Sequence, residues 1–185
     1  MQALSAALSG LAAVNRATLA GCRLATIGLV AAIAVVIAAS VFWRYALNDA
    51  LSWAEEVSKY LMIWMVFTGA PIALRQGSHV AIEIFPNALP ERAKHLVYAL
   101  VFLIIALLTV VLIHRGSTFA WNGRTQTAII IGNFSLFWLF VSIPVGSAIM
   151  LLVALEAALR RIAHALDPER FPLAEGHDYA AVVSE

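Results

Sequence analysis

Between Leu51 and Leu74 the chain runs through 24 residues whose charges, Glu55, Glu56 and Lys59, all fall near the start. As a helix rising about 1.5 Å per residue, the stretch reaches about 36 Å, enough to cross the ~30 Å hydrocarbon core of a bilayer. Just past its far end come Arg75, His79 and Glu83. Acidic side chains in the first turns of a spanning helix are costly, so they need a cation, a route to the headgroups or another protein.

Composition puts the rest of the chain in the same medium. Of 185 residues, 62% are hydrophobic and 12% charged, against about a quarter charged in a soluble domain. Mean hydropathy is +0.88. That length holds one membrane domain and no sizeable soluble one. A net charge of +1, without a polybasic cluster, gives no field for nucleic acid. Cys22 is the single cysteine, which excludes an internal disulfide and a cysteine-built zinc cage. The apolar stretch Leu24–Trp43 is too long for the core of a cleaved signal peptide and runs straight into Arg44.

Taken in order, the chain predicts an all-α integral membrane four-helix bundle. Residues 1–17, with Leu4, Leu8, Leu11 and Val14 at helical spacing, read either as a short interfacial helix or as a frayed start. The four-span domain covers 18–166. Its first helix runs from about Thr18 to Trp43, with Gly21, Ala25, Gly28 and Ala32 on one stripe suited to close helix packing. After a polar turn at Asn48 and Asp49, Ser52 precedes Glu55 by the capping-box spacing, and Lys59 is placed to neutralise part of the acidic pair. The second helix continues to Leu74, with Pro71 bending its end. A loop containing Val80–Phe85, of extended or interfacial pattern, leads to a third helix from Pro90 to Phe119. The fourth spans Phe134–Arg161, and Ser142, Pro144, Gly146 and Ser147 predict a kink and a close helix contact in it. Residues 167–185 read as a polar tail.

Four spans put both termini on one side. Arg16, Arg23, Arg75, Arg92, Lys94, Arg160, Arg161 and Arg170 fall on that side, and Arg44, Lys59, Arg115 and Arg124 on the other. The excess predicts cytoplasmic termini. Trp43, Tyr45, Trp53, Trp121, Phe134, Phe137 and Trp138 gather toward the opposite, external surface as an aromatic belt.

Two other classes of function compete. Small four-helix membrane cytochromes hold haem between paired histidines. Here His95 and His114 share a helix but stand about 28 Å apart, and His95 with His164 would pair only at helix ends. A self-contained transporter would need polar groups at mid-membrane, and the helix centres read as empty of acids and bases. His79 and Glu83 alone make a weak metal pair, and Arg75 is expected to snorkel or to pair with Glu83. No phosphate loop, nucleophile elbow or metalloprotease helix is present, and no catalytic residue is assigned.

The central stretch resembles the small membrane subunit of the tripartite ATP-independent periplasmic (TRAP) transporters, the DctQ-like family. The resemblance rests on Arg44–Tyr45, Asn48, WAEE at Trp53–Glu56, LMIWMVFTGAP at Leu61–Pro71 and ALRQGSHV at Ala73–Val80. It implies a bacterial inner-membrane protein without cofactor or metal. It also implies a large membrane subunit as partner, carrying substrate and sodium, and a periplasmic substrate-binding protein that delivers a carboxylate-type solute. The small subunit would scaffold the large one and help dock the binding protein. Carried over residue by residue, Arg44, Asn48, Trp53, Glu55 and Glu56 would form the external end of that interface, and Arg75, Gly77 and His79 its cytoplasmic loop.

Overall fold

The computed structural model describes residues 2–76, 91–128, 132 and 134–166. Among them the chain is all-α: α1 (Gln2–Ala46), α2 (Ser52–Arg75), α3 (Glu91–Asn122), a 3-10 turn (Gly123–Thr125), α4 (Phe137–Phe140) and α5 (Ser142–Leu166). Four stretches are long and apolar enough to span: Leu8–Ala46, Ser52–Arg75, Leu100–Thr125 and Phe137–Ala163. The four expected spans are therefore present. Gly77, His79, Glu83, the Val80–Phe85 segment and the tail 167–185 lie outside the described residues.

Two compact units divide the chain, and all four long helices contribute to both. Unit 1 takes in Met1–Leu19, Pro71–Val111 and Ala148–Glu185. Its core gathers Leu74, Ala106, Val153 and Ala154, with Phe102 and Leu19 packed against them. Alanines at these positions let helix backbones approach closely, which is the main source of packing energy where lipid supplies no hydrophobic drive.

Unit 2 comprises Ala20–Ala70 and Leu112–Ser147. Here α1 ends where Asn48 takes a left-handed backbone (φ 53°) and the Asp49 amide reaches back to the Trp43 carbonyl at 3.3 Å. Asparagine is among the few non-glycine residues that tolerate that conformation. The α3–α4 connection closes on an antiparallel bridge between Thr127 and Ser135. A single-residue interruption at Val141 separates α4 from α5, yet Val141 N–H still bonds the Phe137 carbonyl at 2.9 Å. Gly146 meets α2 directly, since a Cβ there would stand 2.5 Å from the Phe67 carbonyl oxygen. Pro71, four residues on from Phe67, has no N–H to give that carbonyl. The close contact expected from the Ser142–Ser147 cluster is thus found.

Two expectations change. Residues 2–17 are not a separate segment, because α1 continues through them without a break and buries Leu8, Ala12 and Asn15. Nothing in that alanine-rich sequence interrupts a helix. Of the stripe Gly21, Ala25, Gly28 and Ala32, the first three are exposed and Ala32 is half-buried, and a Cβ at either glycine would meet nothing within 4 Å. The face of α1 that packs carries Cys22 and Thr26, whose hydroxyl donates to Thr68 Oγ1 at 3.1 Å.

Candidate functional site: one buried and one exposed ion pair

In unit 1, α5 carries Glu156 within an apolar helix, its side chain only 4% exposed. Both carboxylate oxygens are engaged. Oε2 accepts from Arg75 Nη1 at 2.8 Å and from Asn15 Nδ2 at 2.6 Å, and Oε1 accepts from Arg160 Nε at 2.9 Å. Asn15 Nδ2 also donates to the Leu152 carbonyl at 3.0 Å. An ionised carboxylate taken out of water costs several kcal/mol, and only well-placed cations and donors offset that. Three donors from three parts of the chain meet this need, so the cluster pins the start of α1, the end of α2 and α5 together. One turn along, the Arg161 guanidinium lies over the Tyr98 ring at 4.0 Å. That contact contributes about 0.5–2 kcal/mol beside an Nε without a hydrogen bond among the described residues.

Arg75 therefore pairs with Glu156, where the sequence suggested Glu83 or snorkelling. The helix centres read in sequence as empty of acids, and Glu156, not singled out there, lies toward the far end of the span Phe137–Ala163. Glu156 was legible as a lone acid in LLVALEAALRR, with Arg160 four residues on. Asn15, the other polar residue missed, sits beside Arg16 at the end of the apolar run Leu11–Val14.

In unit 2 the carboxylates behave differently. Glu55 Oε1 accepts from Arg44 Nη2 at 3.3 Å, with the two side chains 67% and 51% exposed. The capping box does not form, because α2 begins at Ser52 itself and Glu55 turns to Arg44. Arg44 takes the place expected for Lys59 as the cation of that pair. Glu56 Oε1 accepts from Tyr60 Oη at 2.6 Å, and the Tyr60 ring stacks on Phe134 at 5.8 Å. Trp64 Nε1 donates to the Trp138 carbonyl at 3.1 Å. Trp43, Tyr45, Trp53, Trp121, Phe134 and Trp138 are all exposed in this unit. The aromatics that the sequence assigned to one belt thus share one unit with Arg44, Asn48, Trp53, Glu55 and Glu56.

These features define a multi-pass α-helical membrane protein with one buried and one exposed charge cluster. Its family follows from comparison: residues 33–164 match the model of the DctQ component of the tripartite ATP-independent periplasmic transporters, and the chain belongs to that family. It is 32% identical over 132 residues to the sialic acid TRAP transporter small permease protein SiaQ of Vibrio cholerae, covering 71% of this chain and 75% of that one. It is 26% identical over 122 residues to the sialic acid TRAP transporter permease protein SiaT of Haemophilus influenzae, covering 66% of this chain but 20% of that longer one. A third relative is the C4-dicarboxylate TRAP transporter small permease protein DctQ of Vibrio cholerae, 33% identical over 84 residues, which cover 45% of this chain and 36% of that one. The chain is a TRAP transporter small permease subunit. The cytochrome reading gives way to that assignment.

Proposed function

We propose that this subunit is the stationary, non-translocating part of a sodium-coupled TRAP transporter for a carboxylate-type solute. It scaffolds a large membrane subunit and helps dock a periplasmic binding protein, in a bacterial inner membrane with both termini cytoplasmic. The family match across the spans carries this reading. The names of the relatives, sialic acid and C4-dicarboxylate, are both of acidic solutes. The match to a fifth of SiaT supports a large partner, since there a region like this one is part of a much longer permease.

The two ends of α2 suit different work. Arg75 acts inside the chain, where Glu156 fixes it, and a pinned cluster suits a wall that stays still while a neighbour moves. Arg44, Asn48, Trp53 and Glu55 are exposed, with Glu56 beside them, and suit a partner. The exposed stripe Gly21, Ala25 and Gly28 leaves room for a neighbouring helix. Copurification of a tagged subunit with the co-expressed large permease tests the assignment. Charge reversal at Glu55 (Glu55→Arg) should lower recovery of the large chain while the small subunit stays folded. Undiminished assembly and transport would remove these residues from the interface.

A further inference from the structure

A cleft of about 470 Å³ runs along unit 2 between the last turns of α1 and the first turns of α2. Its two ends differ chemically. Toward the helix termini it is lined by Arg44, Glu55 and Lys59, and toward the helix middles by Ile33, Ile37 and Met62. From Ile33 to Arg44 is about 16 Å at helical rise. The polar end carries two cations and one carboxylate, a local charge of +1. Arg44 donates to Glu55 at 3.3 Å, long for a charge-assisted bond, and the guanidinium fork has five N–H donors in all. Lys59 adds three more.

An occupant must therefore satisfy a small cationic rim and an apolar floor. A single acyl chain ending in a phosphate matches both the apolar lining at one end and the cations at the other. We infer that this cleft is a binding site for one anionic phospholipid, its phosphodiester held by Arg44 and Lys59 and an acyl chain lying over Ile37, Ile33 and Met62. Glu55 then sets selectivity by disfavouring headgroups of higher negative charge. The site depends on the membrane placement of the chain, but not on its assembly with any partner.

Native mass spectrometry of the full-length subunit, purified alone, tests this with two probes of identical acyl chains, phosphatidylglycerol and phosphatidylcholine. One phosphatidylglycerol per chain should survive detergent conditions that strip phosphatidylcholine. Arg44→Gln and Lys59→Gln should each lower its retention roughly fivefold, the fold-change that ~1 kcal/mol per cation corresponds to. Glu55→Gln should raise it. Equal retention of the two lipids, meaning adherence without a site, would overturn the inference, as would retention unchanged in both cation variants. A photo-crosslinker at Met62 in the assembled transporter should capture lipid; capture of the large permease there would mean that protein fills the cleft. The lone-chain measurement stands whether or not the partner assignment survives.

Discussion

Two arginine–glutamate pairs, Arg75–Glu156 and Arg44–Glu55, share a chemistry and differ in almost everything else. Arg75 and Glu156 lie 2.8 Å apart with side chains 12% and 4% exposed, whereas Arg44 and Glu55 lie 3.3 Å apart and are more than half exposed. Burial raises both the attraction and the penalty for losing a partner, so the inner pair is costly to break. Solvent and salt screen the outer one, whose worth to the fold is small. A charge fixed in the interior holds helices in register, and a charge left at the rim remains available to something else.

That contrast can be broken from the inside first. Glu156→Ala should cost about 3–5 kcal/mol, leaving Arg75 and Asn15 buried without their acceptor, and should appear as a fall of many degrees in the thermal transition of the purified subunit. Replacing both members with apolar residues of similar size, Arg75→Met with Glu156→Leu, should recover most of that loss. If the double variant is no better than the single, the cluster is not acting as an ion pair. Asn15→Ala should cost less, about 1.5–3 kcal/mol, because the carboxylate keeps both arginines.

A control without charge lies in unit 2. Gly146→Ala should destabilise by about 1–3 kcal/mol, as its Cβ forces α5 away from the Phe67 carbonyl. A neutral outcome would show that the helices yield more easily than the contact implies. The smallest effect is expected at the outer pair, where Glu55→Ala should change stability by less than about 1 kcal/mol while weakening capture of the large subunit. Raising salt should imitate that variant in binding and leave the thermal transition nearly unmoved. A large stability loss at Glu55 would erase the distinction between the pairs.

Legibility in the sequence followed the range of each interaction. The spans were readable because hydropathy over about twenty residues is a local sum. Gly146 was readable because its neighbours Ser142, Pro144 and Ser147 mark a close approach whatever helix makes it. The Arg75–Glu156 pair joins residues 81 apart in sequence, and finding it requires the register between helices, which no single-chain pattern supplies. The small-residue stripe misled for a related reason: spacing shows that a face can be approached closely, and says nothing about whether this chain or another does so. Asn48 entered as a surface residue for a partner, and the structure adds a conformational duty at the end of α1.

Reconstitution into liposomes tests the central claim most directly. The subunit is inserted alone, or with a co-expressed large permease, and sodium-driven uptake of a labelled carboxylate is followed with binding protein outside. Uptake is expected only when both membrane chains are present, and none from the small one. Sodium-dependent accumulation by the small chain unaided would contradict a stationary role and return the search for a transport path to these four helices.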